Sequence, residues 1–186
     1  ALLIHGMDSM QEYGDFVEKV RNITAYRNLI FIPIAEEDKK TFGHMLNRAV
    51  EQCGAEYIVV MDIACIPLNA GWIEEMLMYA QRKDVAAVAP KILFKNNTIA
   101  YAGAALDKDR EDKIRYLCQG MPDTEQGYEA ILRYVRNTTA VCRTCFMIER
   151  SKLRKLKGFR EDLQGYEEID LSLKAVRRGY WNVWTC

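Results

Sequence analysis

Short apolar runs alternate along this chain with segments whose apolar residues recur at helical spacing. The runs predict strands at residues 1–5, 29–33, 57–62 and 85–90. The helical spacing predicts helices over residues 12–21, 42–53 and 71–82. Because strands that alternate with helices are usually parallel, the pattern predicts an α/β fold with a mostly parallel central sheet flanked by helices.

The second half of the chain continues the alternation less regularly. Its predicted strands are residues 98–105, 138–148 and 181–186, and a short helix is predicted over residues 149–156. No internal repeat, low-complexity segment or interdomain linker interrupts the 186 residues. The chain therefore reads as a single domain, residues 1–186.

The run Tyr57–Asp62 is apolar throughout and ends in one carboxylate. A strand that is apolar on both faces belongs at the centre of a sheet, and the carboxyl ends of central strands are where open α/β sheets bind ligands. Position alone thus favours a functional role for Asp62. The alternative is a capping or turn role for this side chain.

Three carboxylates, Glu167, Glu168 and Asp170, lie within four positions where a loop runs into an amphipathic helix. Like charges this close repel one another, and the unpaired N–H groups of a helix N-terminus offset that repulsion. The cluster favours a site for proton abstraction. The alternative, that these acids only occupy the first turn of a surface helix, carries equal weight on local evidence.

Charge and length exclude several classes of protein. Lysine plus arginine equals aspartate plus glutamate at 26 each, so no basic excess exists for a nucleic-acid backbone. No apolar run approaches the roughly 20 residues of a membrane span, and the start of the chain is too short for a signal peptide. The sequence predicts a soluble, cytoplasmic protein without a nucleic-acid partner.

The six cysteines are spread through the chain and are expected as reduced thiols. Cys142 and Cys145 have zinc or redox spacing, but they fall in a predicted strand, where positions three apart point to opposite faces, and no second ligand pair follows. His5 and His44 are the only histidines. Two histidines give little support to a histidine-based metal site or catalytic triad.

A series of short motifs follows one another in a characteristic order. They are Thr41-Phe42-Gly43 with Asn47, the run 57–62, Gly71-Trp72, Ala89-Pro90-Lys91-Ile92, and residues 98–103, 136–141, 156–161 and 166–171. Singly these motifs are weak, but the ordered series is specific. It resembles the catalytic domain of family 2 glycosyltransferases, with the GT-A (nucleotide-diphospho-sugar transferase) fold, and especially the bacterial rhamnosyltransferase-like branch that builds surface polysaccharides.

The resemblance implies transfer of a sugar from a nucleotide diphosphate donor to an acceptor hydroxyl, with inversion, in polysaccharide or glycoconjugate synthesis. The expected cofactor is a divalent metal, Mn²⁺ or Mg²⁺, held by the D-x-D carboxylates. By the same resemblance Glu168 is the base, and Glu167 and Asp170 shape its pocket. The implied donor-binding residues are His5, Asp8, Gly43, Asn47 and Asp62, of which Asp62 is also the metal contact.

The implied partners are the nucleotide diphosphate sugar donor and a glycan or lipid-linked acceptor. Peripheral membrane association and a homo-oligomer stay open.

The sequence departs from the family pattern where the chemistry is concentrated. Asp62-Ile63-Ala64 keeps the first acid of D-x-D and has alanine at the other, so a hard cation loses an anionic ligand and should bind weakly or not at all. Glu168 stands where the family has aspartate, and a displacement of about 1 Å can cost about a hundredfold in rate. The acid that contacts the nucleobase in the family is replaced by His5 or shifted to Asp8.

By spacing, residues 1–5 correspond to the family's second strand, so the first strand is missing and the chain is expected to be a fragment. A missing strand would leave unpaired backbone groups on its neighbour, an edge along which copies could associate. Loss of that strand and of the second acid supports an alternative function: a degenerate glycosyltransferase-like binding or scaffolding module.

Overall fold

The structure is a computed structural model that describes residues 1–35, 40–110 and 113–186. Its helices are α1 (Met10–Ile23), α2 (Phe42–Gln52), α3 (Trp72–Ala80), α4 (Arg150–Lys155) and α5 (Glu167–Arg177). Its strands are β1 (Leu2–His5), β2 (Phe31–Pro33), β3 (Tyr57–Asp62), β4 (Val85–Pro90), β5 (Ile92–Leu93), β6 (Ile99–Tyr101), β7 (Ala104–Leu106), β8 (Ile114–Tyr116), β9 (Arg136–Thr138), β10 (Cys145–Glu149) and β11 (Trp181–Thr185). A short 3-10 helix spans Tyr128–Ala130.

A seven-stranded sheet with the order β2-β1-β3-β10-β4-β11-β9 forms the centre of the molecule. Strands β2, β1, β3, β4 and β11 run in one direction, whereas β10 and β9 run against their neighbours. The sheet is therefore mostly parallel, as predicted. The pairs β5-β6 and β7-β8 form two small antiparallel sheets outside it.

The central strands are buried because they are apolar on both faces. In β3, Ile58, Val59, Val60 and Met61 are all almost inaccessible to solvent. Burying a side chain of this size contributes about 1.5–3 kcal/mol relative to leaving it exposed. Only the last residue of the strand, Asp62, is polar. Hydrophobic burial thus fixes β3 in the middle of the sheet and leaves its charged end at the carboxyl edge.

Side chains at two loop-to-helix junctions fix where helices begin. Ser9 accepts a hydrogen bond from the backbone N–H of Glu12 at the start of α1, and Thr41 accepts one from the backbone N–H of His44 at the start of α2. Such caps satisfy N–H groups that have no partner within the helix. None of the helices in the described ranges is both long and apolar enough to cross a bilayer.

The predicted strand over residues 138–148 is wrong. The structure has two strands there, β9 and β10, with the loop 139–144 between them. Cys142 lies in this loop and pairs with Cys145 only through an isolated bridge, so the two are not alternate positions of one strand. The error arises because apolarity marks burial, and this loop contains buried residues such as Ala140 and Val141.

The predicted strand over 98–105 is likewise divided, into β6 and β7.

Strand β1 does not lack a neighbour. It pairs with β2 on one side and β3 on the other, both in parallel. Strand β1 is therefore paired along both sides, and β2 and β9 are the edge strands of the described sheet. That the chain is a fragment stays a prediction.

Candidate active site

The carboxyl ends of β1 and β3 bring two predicted site residues together. His5 and Asp62 are register partners, and Nδ1 of His5 lies 3.8 Å from Oδ2 of Asp62. Oδ1 of Asp62 accepts a hydrogen bond of 2.8 Å from the backbone N–H of Ala64. The side chain of Asp62 is 34% exposed, so its carboxylate faces the solvent-filled edge of the sheet.

Gly6 keeps the space beside Asp62 open. It has φ +79°, a left-handed conformation that favours glycine, and a Cβ there would lie 3.4 Å from both carboxylate oxygens of Asp62. A residue with a side chain would be strained by this φ and would come into van der Waals contact with the acid. The turn after β1 is thus shaped to leave room at the carboxyl end of β3.

His5 is buried and contacts other residues of the protein. Its Nε2 hydrogen-bonds the carbonyl oxygen of Arg143 at 3.2 Å, and its ring packs edge-on against Phe42 with the centroids 4.9 Å apart. Burial lowers the pKa of His5, although the nearby Asp62 carboxylate raises it. The ring therefore lies between Asp62 and the backbone of Arg143, and its one hydrogen bond in the described part of the chain is to the Arg143 carbonyl oxygen.

Arg143 lies in the loop 139–144, directly beside this pair. Its guanidinium stands over the ring of Phe42, with Cζ 3.9 Å from the centroid. The next residue, Thr144, accepts a hydrogen bond of 2.9 Å from the backbone N–H of Asp62 through its carbonyl oxygen. These contacts tie a cation to the same edge of the sheet as Asp62.

Glu168 occupies the first turn of α5 and is 4% exposed. The pKa of its carboxyl group is raised to about 7, chiefly by burial and also by the charge of Glu167, while backbone hydrogen bonds from Glu168 and Arg143 and the charge of Arg143 act in the opposite direction. Among the described residues, Oε2 of Glu168 has no hydrogen-bond partner. A carboxylate in this state is poised to exchange a proton near neutral pH.

The other two acids of the cluster have structural contacts. Glu167 is 1% exposed, and its Oε2 accepts a hydrogen bond of 3.1 Å from the backbone N–H of Gly165. Asp170 pairs with Lys174 at 2.7 Å and lies 3.9 Å from Arg160. Both arrangements hold the start of α5 and the loop before it in place.

Gly43 and Asn47 contact the loop that leads to α5. A Cβ on Gly43 would overlap the carbonyl oxygen of Arg160. The Asn47 amide exchanges two hydrogen bonds of 2.9 Å with the backbone of Phe159 and donates a third, of 3.0 Å, to Glu161. Gly43 and Asn47 therefore position this loop against α2.

Asp8 is exposed in the turn before α1, where its backbone N–H donates to Glu12.

Glu161, which accepts the bond from Asn47, accepts a second bond of 2.9 Å from Nδ1 of His44.

The residues at this edge do not fit a resident metal ion. A hard divalent cation takes about six oxygen ligands, and here one carboxylate is available, with Oδ1 already engaged by a backbone N–H. Ala64 supplies no side-chain oxygen. Within the described ranges, no three His, Cys, Asp or Glu side chains are grouped in a way that could hold a metal.

Sequence reasoning missed Arg143 and the ring beneath it, Phe42. The available signal was a single charge within an otherwise apolar stretch, Val141-Cys142-Arg143-Thr144-Cys145. A buried segment does not retain a cation without a partner or a ligand to receive it. Reading the stretch as a strand concealed that signal.

Two curated relatives are similar to this chain. An uncharacterized protein, y4gI, of Sinorhizobium fredii is 29% identical over 182 residues, which are 96% of this chain and 19% of the relative. The O-antigen biosynthesis protein RfbC of Myxococcus xanthus is 26% identical over 136 residues, 72% of this chain and 10% of the relative. The chain thus spans a fifth or less of each relative's length. No protein-family model matches it.

Solved structures decide the fold. GalNAc-T7, crystallised with UDP, GalNAc and Mn²⁺, superposes with a TM-score of 0.65 at 16% identity, covering 99% of this chain and 36% of that one. The mannosyltransferase PcManGT of Pyrobaculum calidifontis, solved with GDP-Man and Mn²⁺, gives 0.63 at 13%, covering 100% of this chain and 53% of that one. This chain has the GT-A fold. In open α/β sheets, the carboxyl ends of the strands are where ligands bind.

Proposed function

We propose that this GT-A domain is a glycosyltransferase of the family 2 type, which transfers a sugar from a nucleotide diphosphate sugar to an acceptor hydroxyl with inversion. The observation that carries the proposal is Glu168, a buried carboxyl with a pKa of about 7 and an unpartnered oxygen, held in the first turn of α5 beside the carboxyl edge of the sheet. The fold shared with solved glycosyltransferases supports it.

The proposed reaction is a single displacement. The acceptor oxygen forms a bond to the anomeric carbon while the bond from that carbon to the diphosphate oxygen breaks with its electron pair. Glu168 takes the proton of the acceptor hydroxyl, and the nucleoside diphosphate leaves. A base whose pKa lies near the working pH combines a useful ionised fraction with a strong drive to accept the proton.

Asp62 takes the donor side of the site in this proposal. Its half-exposed carboxylate accepts hydrogen bonds from hydroxyl groups of the donor, the ribose or the transferred sugar. The Ala64 N–H fixes its orientation, and the His5 ring lies beside it. The role of His5 is then to position the acid rather than to contact a nucleobase.

The wider assignment is also part of the proposal. Similarity to RfbC supports a role in the synthesis of a polysaccharide, of which O-antigen is one kind. The rhamnosyltransferase-like branch and a glycan or lipid-linked acceptor remain predictions from the motif order.

Turnover by the Glu168→Gln variant tests the function. The purified protein is incubated with uridine, thymidine and guanosine diphosphate sugars and a panel of simple glycoside acceptors, and release of nucleoside diphosphate is measured. We expect Glu168→Gln to lose turnover by a factor of 100 or more while donor binding stays within about threefold, because the isosteric amide cannot accept the proton.

Glu74→Gln, on the exposed face of α3, is the matched control and should behave as wild type. Equal turnover by Glu168→Gln and wild type would refute the assignment of the base.

A second candidate function rests on two specific observations. Ala64 stands where D-x-D has its second acid, and Glu168 is only 4% exposed, which restricts the approach of an acceptor. Both favour a degenerate module that binds a nucleotide sugar or glycan without transferring it. Donor binding with no turnover on any acceptor of the panel would select this alternative.

A further inference from the structure

The geometry points to Arg143, in place of a metal ion, as the group whose positive charge binds the diphosphate of the donor, a role that rests on the proposed transfer reaction. A departing diphosphate develops negative charge that a cation must offset. The net charge of the chain is zero, so the protein has no general positive field to attract it. The offset has to come from a local group.

The carboxylate side of the site offers a single acid to hold a metal ion. Asp62 is the single acid there, its Oδ1 is occupied by the Ala64 N–H, and its Oδ2 faces His5. An isolated carboxylate at a donor site repels a diphosphate unless a positive group stands close to both. Arg143 is a cation whose backbone the fold fixes beside Asp62, because the Asp62 N–H donates to the carbonyl oxygen of the adjacent Thr144.

The contacts of Arg143 leave its hydrogen-bonding edges available. One face of the guanidinium lies on the Phe42 ring at 3.9 Å, an interaction that uses the π surface and not the N–H groups. In the described part of the chain, no carboxylate forms an ion pair with it. A planar guanidinium held this way can donate two parallel N–H bonds to phosphate oxygens.

Arg143 is also held where both halves of the reaction meet. Its carbonyl oxygen is fixed by Nε2 of His5, and the adjacent Thr144 carbonyl receives the backbone N–H of Asp62. Its charge acts on His5 and on Glu168, lowering the pKa of each. The guanidinium therefore stands near the end of β3, where the donor binds, and near the base. It can hold the diphosphate before transfer and stabilise it as it leaves.

The test is calorimetric titration of the purified protein with UDP, thymidine diphosphate and GDP, first in EDTA and then in manganese chloride. We expect at least one nucleotide to bind with a Kd that differs less than about threefold between the two conditions. Arg143→Gln should weaken binding in EDTA by about 10- to 100-fold, the range expected for losing charge-assisted hydrogen bonds. Arg143→Lys keeps the charge without the planar fork, so its affinity should lie between those of wild type and Arg143→Gln.

Arg82→Gln is the matched control. It removes the same charge at the amino end of β4, the opposite edge of the sheet from Asp62, and should leave nucleotide binding unchanged. Near-ultraviolet circular dichroism checks that each variant is folded. The wild-type comparison of EDTA with manganese needs no variant and tests whether a metal is required; where Arg143→Gln does not fold, Arg143→Lys tests the side chain.

The outcomes separate this inference from the function on which it rests. Nucleotide binding that requires manganese, and that survives Arg143→Gln, would overturn the role of Arg143 while leaving the transferase proposal standing. Absence of binding by all three nucleotides in both conditions would overturn both. Metal-independent binding lost in Arg143→Gln and retained in Arg82→Gln would establish the diphosphate site.

Discussion

Replacing Glu168 by glutamine should stabilise the folded protein, and by more at alkaline pH than at acid pH. Burial raises the pKa of this carboxyl group from an ordinary value of 4.5 to about 7. Between those two values the folded state binds more protons than the unfolded state, so the free energy of unfolding falls as pH rises. The destabilisation is absent well below pH 4.5 and complete above about pH 8.

The magnitude follows from the two pKa values. Ionising Glu168 in its buried site costs about 3 kcal/mol at pH 8, of which about 1 kcal/mol is already present at pH 5. Glutamine has nearly the same shape and stays neutral, so it avoids this cost at every pH. We therefore expect the stability gained in Glu168→Gln to be about 2 kcal/mol larger at pH 8 than at pH 5. For a domain of this length, that corresponds to roughly 4–8 °C in Tm.

Urea denaturation of wild type and Glu168→Gln at the two pH values measures the difference directly. Glu74→Gln, exposed on α3, serves as the control and should change stability by less than about 0.5 kcal/mol at either pH. A gain in Glu168→Gln that is equal at pH 5 and pH 8 would refute the raised pKa, and with it the physical reason for choosing Glu168 as the base.

Two further predictions use the same site. The logarithm of kcat/KM should rise with unit slope up to about pH 7 and then level off as Glu168 ionises; an inflection near pH 4.5 in a pH–rate profile would contradict a buried base. Gly43→Ala should lower the free energy of unfolding by about 1–3 kcal/mol in urea denaturation, because its Cβ meets the Arg160 carbonyl oxygen and the backbone must shift; an unchanged midpoint would show that the loop moves freely.

Two buried carboxylate oxygens at the start of α5 lower the stability of the folded protein. Glu168 is buried without a partner for Oε2, and Glu167, beside it, is unpartnered at Oε1 among the described residues. Buried polar atoms of this kind normally destabilise a protein.

Much of the fold was readable from the sequence, because burial on both faces leaves a continuous apolar run. Strands β3 and β4 have the predicted bounds, Tyr57–Asp62 and Val85–Pro90. The helices lie within a few residues of their predicted positions. Asp62 and Glu168 could be chosen as candidates from local rules alone: one ends a central strand, and the other opens a helix.

Sheet order and the surroundings of each charge were decided only by the tertiary structure. The insertion of antiparallel β10 between β3 and β4 depends on pairing between residues 59 to 92 positions apart, which local periodicity does not encode. That insertion brings the loop 139–144, and with it Arg143, to the ends of β1 and β3.

The sequence by itself determined which residues could carry chemistry: a lone acid after a buried strand, a cluster of acids at a helix start, and a D-x-D depleted to Asp62. The tertiary structure decided what each can do. A pKa depends on burial, which is the largest cause for both His5 and Glu168, and on neighbouring charges, of which Arg143 acts on both although it lies 138 residues from the first and 25 from the second. Only folding brings that charge beside them.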